Sequence, residues 1–209
     1  MDQSTRIGIV VDGISEFRSL PFVLNRIDTN AVILRPLRAD IQPHANISKI
    51  VKAVTPSVKI FVEKNCHRII ICVDHENQTE CIPRWRDDIE AALIKRFNGE
   101  ATIDVKVAVK AEMYENWLVA DTSVFERHSA RFSFTNAHER QVSPNKADRT
   151  DALKILKSAA NNSSYHKVDD AVLLMKSLDP YRAAANSRSL RRFLRLVGCN
   201  TYSLQSKSP

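Results

Sequence analysis

Apolar positions along the chain fall into two patterns, short unbroken runs rich in β-branched residues and longer stretches with helical spacing. Their alternation predicts an α/β fold. The strongest run is Ile69-Ile70-Ile71-Cys72-Val73, inside His67 to Gln78. Such a run reads as a strand covered on both faces of a parallel sheet, and it stops at Asp74, His75 and Glu76. Arg6 to Val11 (RIGIVV) is a second strand, ending at Asp12-Gly13. Ser15 is then the expected N-cap of a helix with Phe17, Leu20, Leu24 and Ile27 inward, which Pro21 is expected to kink or delay. Ala31 to Leu37 (AVILRPL) predicts another strand, cut short by Pro36 and so placed at an edge.

Ile47 to Asn65 has helical spacing, with a break expected at Pro56. After the central strand, Pro83 opens a helix with Ile89, Ala92, Leu93 and Phe97 inward, stopped at Asn98-Gly99. Thr102 to Val109 (TIDVKVAV) alternates with period two, a strand with one wetter face. The following AEMYENWLVAD sets Glu112, Glu115 and Asp121 around an apolar turn in which Trp117 reads as core. Residues 127–149 show no sustained period and read as a loop or insertion. Three amphipathic stretches follow, TDALKILKSAA, VDDAVLLMKSL and SLRRFLRLVG. The expected organisation is an α/β core over residues 1–126, a loop over 127–149, and a helical C-terminal extension over 150–209 with flexible last residues. The core is a central, mainly parallel four-stranded sheet with helices on both faces.

Composition narrows the classes. Hydrophobic residues make up 44% and charged residues 26%, as in globular domains. Four glycines in all argue against a phosphate-cradling glycine loop. Four cysteines without a C-x-x-C pair indicate neither a zinc site nor a disulfide framework, which fits a reduced cytoplasm. No apolar run reaches the roughly 18 to 20 residues of a membrane span, and MDQSTR lacks the order of a signal peptide. The net charge of +7 suits a polyanionic partner such as nucleic acid.

In open α/β sheets, ligands bind beyond the carboxyl ends of the strands, which is where Asp12, Asp74 and Glu76 fall. If their strands are neighbours, the carboxylates converge within reach of one ion. Hard oxygen donors suit Mg²⁺ or Mn²⁺ better than Zn²⁺, and such an ion serves phosphoryl chemistry. The bland alternative for Asp74 is a loop or helix cap. In the tail, Arg188, Arg191, Arg192 and Arg195 form one helical stripe opposite Leu190, Phe193, Leu194 and Val197, with Ser187 as N-cap and Gly198 as stop. The stripe is either a solvated basic face or a surface for phosphates or an acidic protein. The six histidines are scattered and suggest no triad. Lys110 after a strand, with Asp12 and Asp74, invites comparison with a phosphoreceiver domain. There the lysine follows the fifth strand, whereas four candidates are counted here.

The pieces Val11-Asp12-Gly13-Ile14-Ser15-Glu16 and Val73-Asp74-His75-Glu76 resemble the Toprim domain of topoisomerases, primases and overcoming-lysogenization-defect nucleases. Glu115 to Asp121, Tyr165-His166-Lys167 and Ser187 to Phe193 resemble a small bacterial Toprim-like branch found with ATPase partners in phage defence. The resemblance implies a Rossmann-like core and Mg²⁺-dependent cleavage of DNA or RNA, with Asp74 and Glu76 as metal ligands. Asp12 stands where the family has a glutamate and is one methylene shorter. Glu16, one helical turn on, is the candidate to supply the missing reach in acid/base chemistry. Glu115 and Asp121 become a possible additional acidic site, and Lys167 joins the arginines as a nucleic-acid or partner contact. The competing expectation is a catalytically silent Toprim-like module that binds a partner protein or nucleotide.

Overall fold

The computed structural model describes residues 4–42, 44–76, 78–98, 103–161 and 164–203. In chain order the first half runs β1 (Arg6–Val11), α1 (Ile14–Leu24), β2 (Val32–Ile33), β3 (Leu37–Arg38), α2 (Ile47–Glu63), β4 (Arg68–Asp74), α3 (Ile82–Phe97) and β5 (Asp104–Lys110). Short helices follow: α4 (Glu115–Val119), α5 (Ser123–Arg127), α6 (Asn136–Val142), α7 (Ala152–Ala159), α8 (Asp169–Ser177), α9 (Pro180–Asn186), α10 (Arg188–Leu196) and α11 (Asn200–Ser203). The chain divides into two compact units. Residues 1–13, 28–109 and 192–209 form one, and residues 14–27 and 110–191 the other. This division differs from the expected boundary near residue 126.

In the first unit the sheet has the order β2-β1-β4-β5, with β3 also on β1. β1 pairs in parallel with β4 from Ile7↔Arg68 to Val10↔Ile71. The α/β expectation holds, but the sheet has five strands rather than four. Pro36 divides the expected Ala31–Leu37 strand into two short pieces, because it offers no N–H and cannot continue the ladder. Both pieces pair in parallel with β1, at Arg6↔Val32 and at Val10↔Leu37. The central run is covered on both faces as its pattern demanded. Val10, Ile69, Ile71 and Val73 join α2 and α3 in one core cluster, and Ile9, Ile70 and Cys72 on the opposite face are equally buried.

Helix α2 runs unbroken through Pro56, contrary to the expected break. Pro56 lies on the exposed side, as does Lys52 one turn earlier, so the carbonyl that loses its donor faces water. Meanwhile Ile50, Val54, Val58 and Phe61 hold both halves of the helix to the core. The packing is close at Gly8, where an added Cβ would stand 2.4 Å from Phe61 Cγ. Helix α3 starts at Ile82 with Pro83 in its first turn and ends at Phe97. The expected stop at Gly99 and the strand start at Thr102 fall outside the described residues.

In the second unit α1 packs on α8, and α4 on α7. Ser15 is not the cap of α1. It lies inside the helix, buried, and donates its hydroxyl to the Lys167 carbonyl at 3.0 Å. The segment expected as a loop over 127–149 carries α6 and a 3-10 turn at Ala147–Arg149, pinned by buried Phe132, Val142 and Ala147. Its start signal was local: Thr135 and His138 form a reciprocal capping box at the N-terminus of α6. The C-terminal stretch holds α9 and α11 besides the three helices expected. Ser187 does cap α10, accepting from the Leu190 N–H at 3.1 Å, and Gly198 ends it with φ +75°. The last residues, 204–209, fall outside the description. No helix among the described residues is long and apolar enough to cross a membrane.

Candidate functional site

The β1–β4 register places the acidic tips. Two residues beyond the pair Val10↔Ile71 stand Asp12 and Val73, so Asp12 ends one residue short of Asp74 on the neighbouring parallel strand. Asp12, Asp74 and Glu76 line one cavity of about 50 Å³ at the carboxyl ends of these strands, together with His44, His75 and Trp85. The turn after β4 is fixed from several sides. Glu76 has φ +43°, a left-handed backbone that a side chain of this kind rarely adopts. His75 packs edge-on to Trp85 and bonds the Glu80 carbonyl through Nε2 at 2.8 Å. Among the described residues no group of three or more His, Cys, Asp or Glu side chains is gathered to hold a metal ion. The donor chemistry nevertheless suits Mg²⁺, which commonly takes one or two carboxylates and completes its octahedron with water and substrate phosphate.

A second polar cluster is buried in the other unit. Glu16 lies in the first turn of α1, where a negative charge complements the helix N-terminus. It is 2% exposed and ion-paired with Lys110, which is fully buried at the end of β5. Lys110 is thus the last residue of the fifth strand, and its ammonium is bound to Glu16. Ser19 donates to the Ser15 carbonyl at 2.6 Å and shares a hydrogen bond of 2.7 Å with the Tyr114 hydroxyl. Burial pushes the Tyr114 phenol well above its usual pKa.

Glu115 opens α4 and is 1% exposed, and neither carboxylate oxygen has a hydrogen-bond partner among the described residues. It pairs with Lys167, whose Nζ lies 3.6 Å from Oε1 on a side chain that is 64% exposed. The Tyr165 hydroxyl is likewise buried and unpartnered. Burial, and then the Glu115 charge, push its phenol pKa upward.

Asp121, the other half of the expected second acidic site, has a structural occupation. It accepts from the Ser123 hydroxyl at 2.7 Å and the Asp179 N–H at 2.8 Å, and ion-pairs with Arg182 at 3.3 Å and Arg127 at 3.5 Å. The arginines of α10 also separate. Leu190, Phe193, Leu194 and Val197 are buried as the pattern required. Arg191, however, donates to the Ala184 and Ala185 carbonyls and to Asn145 Oδ1, so it ties helix ends together. Arg188 is exposed, and Arg192 and Arg195 are half-buried. Trp117 is core, with its indole N–H donated to Ser189 Oγ at 2.8 Å.

The structure therefore lines one cavity with Asp12, Asp74 and Glu76, sets Glu16 on Lys110 and Glu115 beside Lys167, and binds Asp121 into the scaffold. His44 joined the cavity unforeseen, because nothing in a scattered histidine shows that the loop after β3 returns to the strand ends. Ser19, Tyr114 and Tyr165 were also missed, since each reads alone as an ordinary half-apolar position. No curated protein and no solved structure matches the chain. A family model matches residues 11–197, a span that contains both acidic clusters and the whole of α10. The chain therefore belongs to the family described as a domain of unknown function, DUF4276.

Proposed function

We propose that this chain is a Mg²⁺-dependent nuclease that hydrolyses a phosphodiester bond of DNA or RNA. The observation that carries the reading is the convergence of Asp12 and Asp74 from adjacent parallel strands onto one cavity, with Glu76 held beside them in a left-handed turn. Strained backbone of this kind persists where surrounding structure over-determines it, and it clusters at functional sites. Asp74 and Glu76 are the residues to hold the cation, which when bound supplies positive charge against the phosphate oxygens. Asp12, just beyond the neighbouring strand β1, is the carboxylate to take a proton from water. Glu16 is bound to Lys110 and leaves that task to Asp12. The Toprim resemblance extends the reading to a cytoplasmic effector of anti-phage defence that works with an ATPase partner.

One observation favours a second reading, the silent binding module: no three metal-ligating side chains are gathered among the described residues. The two separate in one experiment. Supercoiled plasmid, single-stranded DNA and a structured RNA are incubated with Mg²⁺ or Mn²⁺ and wild type, Asp74→Ala or Glu76→Ala. Metal-dependent cleavage by wild type and its loss in both variants is the expected result. No cleavage by wild type, with calorimetry finding no Mg²⁺ binding that Asp74→Ala removes, gives the second reading its place.

A further inference from the structure

The first unit contains a guanidinium whose bonding is incomplete. Arg192 lies on α10 with its Nε atom buried and without a hydrogen-bond partner among the described residues. A buried donor left unmatched costs free energy, so an acceptor is wanted there. Its charged neighbours are Arg86, Glu90, Arg195 and Asp87. The two carboxylates are engaged elsewhere. Asp87 binds Arg86, through Nε at 2.7 Å and Nη2 at 2.6 Å, and Glu90 Oε1 accepts the Val107 N–H at 2.8 Å. Arg195 follows Arg192 by three residues on the same helix, which puts the two side chains on one face. Three guanidinium groups thus share a small area in which neither carboxylate bonds to Arg192.

We propose that Arg192 and Arg195, with Arg86 beside them, form a binding site for a phosphodiester group of a nucleic-acid strand. A guanidinium presents its N–H donors as a planar fork that matches phosphate oxygens, and Nε belongs to that fork. An anion seated here satisfies the orphaned Nε and adds negative charge between Arg192 and Arg195, while Arg86 is already paired with Asp87. Burial, and next the charge of Arg86, already hold the Arg192 guanidinium below its ordinary pKa, the direction an uncompensated cation takes. Arg191 has no part in the site because both of its terminal nitrogens are tied to the Ala184 and Ala185 carbonyls and to Asn145 Oδ1. The basic tail of this protein thus acts through particular arginines rather than through a uniform stripe. The identity of the anion as nucleic acid rests on the nuclease reading, and the test keeps the two apart.

The test is binding of short fluorescein-labelled single-stranded DNA and RNA, by anisotropy over a series of salt concentrations, with EDTA present so that no cleavage intervenes. Wild type is compared with Arg192→Gln, Arg192→Lys, Arg195→Gln and Lys59→Gln. The last removes the same charge from an exposed position on α2 and measures the effect of net charge alone. The expected result is about tenfold weaker binding by Arg192→Gln, with the slope of log K against log salt reduced by about one. Arg192→Lys is expected to recover only part of the affinity, because a point charge replaces the fork. Arg192→Gln matching Lys59→Gln overturns the site and leaves the nuclease reading standing. Binding that depends on Arg192 in a protein without nuclease activity upholds the site and removes the nuclease. Capture of labelled polyglutamate with no binding of either oligonucleotide overturns the proposal in favour of an acidic protein partner.

Discussion

Replacing Lys110 by methionine removes the ammonium from a pair in which both side chains are out of water, Lys110 fully and Glu16 to within 2%. Methionine keeps the length and apolar stem of lysine, so cavity formation contributes little and electrostatics dominates. Two opposing terms decide the size. Burying the pair was itself expensive, so the intact bridge adds little net stability. Removing one partner, by contrast, strands the other in a medium that solvates it poorly, which costs about 3–5 kcal/mol. New donors for the stranded carboxylate would hold the loss to the lower end, but the nearby Ser19 and Tyr114 hydroxyls already bond each other. Lys110→Met should therefore lower the urea midpoint without changing the slope of the unfolding curve. Because a carboxyl buried without its cation is tolerated better with a proton on it, the deficit should shrink as pH falls. The double variant Glu16→Gln, Lys110→Met should regain most of the loss, since neither charge is then buried. A deficit under about 1 kcal/mol, or a double variant no more stable than Lys110→Met, would refute the account of this pair as a mutually dependent buried bridge.

Three further outcomes follow from named contacts. Gly8→Ala sets a Cβ 2.4 Å from the Phe61 ring, which lies fully buried and cannot swing into solvent. A loss of about 1–3 kcal/mol in chemical denaturation is expected, and an unchanged midpoint would show that α2 can move off β1. Glu115→Gln removes a charge whose oxygens lack hydrogen-bond partners among the described residues and whose ion-pair partner, Lys167, is mostly in solvent, so it should raise the thermal midpoint while reducing any nuclease activity. A lower midpoint would mean that the charge is compensated in the folded protein. His128 has its imidazole pKa lowered from 6.5 by burial and then by Arg127. A depressed folded value means stability that is present above the unfolded pKa and lost as pH falls through the folded one. His128→Gln should flatten the dependence of the urea midpoint on pH below about 6.5, and an unaltered slope would exclude this group as its source.

How far the sequence reveals this molecule depends on the range over which each signal acts. The apolar run Ile69 to Val73 is legible because coverage on both faces leaves a residue-by-residue trace, and its acidic tip follows from where any open parallel sheet offers its strand ends. The Ser187 cap and the Gly198 stop are legible because each is a local contract between a side chain or a backbone angle and one helix end. Pro36 and Pro56 show the limit of such signals. The same missing N–H divides a strand in one case and leaves a helix whole in the other, and the difference lies in whether the deprived carbonyl meets a ladder or water. That is decided by packing, which single residues do not display.

The same distinction separates the acidic residues. Asp74, Glu115 and Asp121 carry one functional group and look alike on the page. In the fold Asp121 is occupied by N–H, O–H and guanidinium donors, whereas Glu115 is buried with its oxygens unmatched among the described residues and the exposed Lys167 at its rim. An unmatched buried carboxylate costs stability, so its retention asks for a reason such as a functional role. Occupation, rather than residue type, is thus what separates these acids, and it sets Glu115 apart from Asp121, which belongs to the scaffold. The arginines of α10 divide on the same ground, Arg191 saturated and Arg192 short of an acceptor. A substitution that removes a saturated group should therefore be read first in stability, and one that removes an unsaturated group first in binding or cleavage.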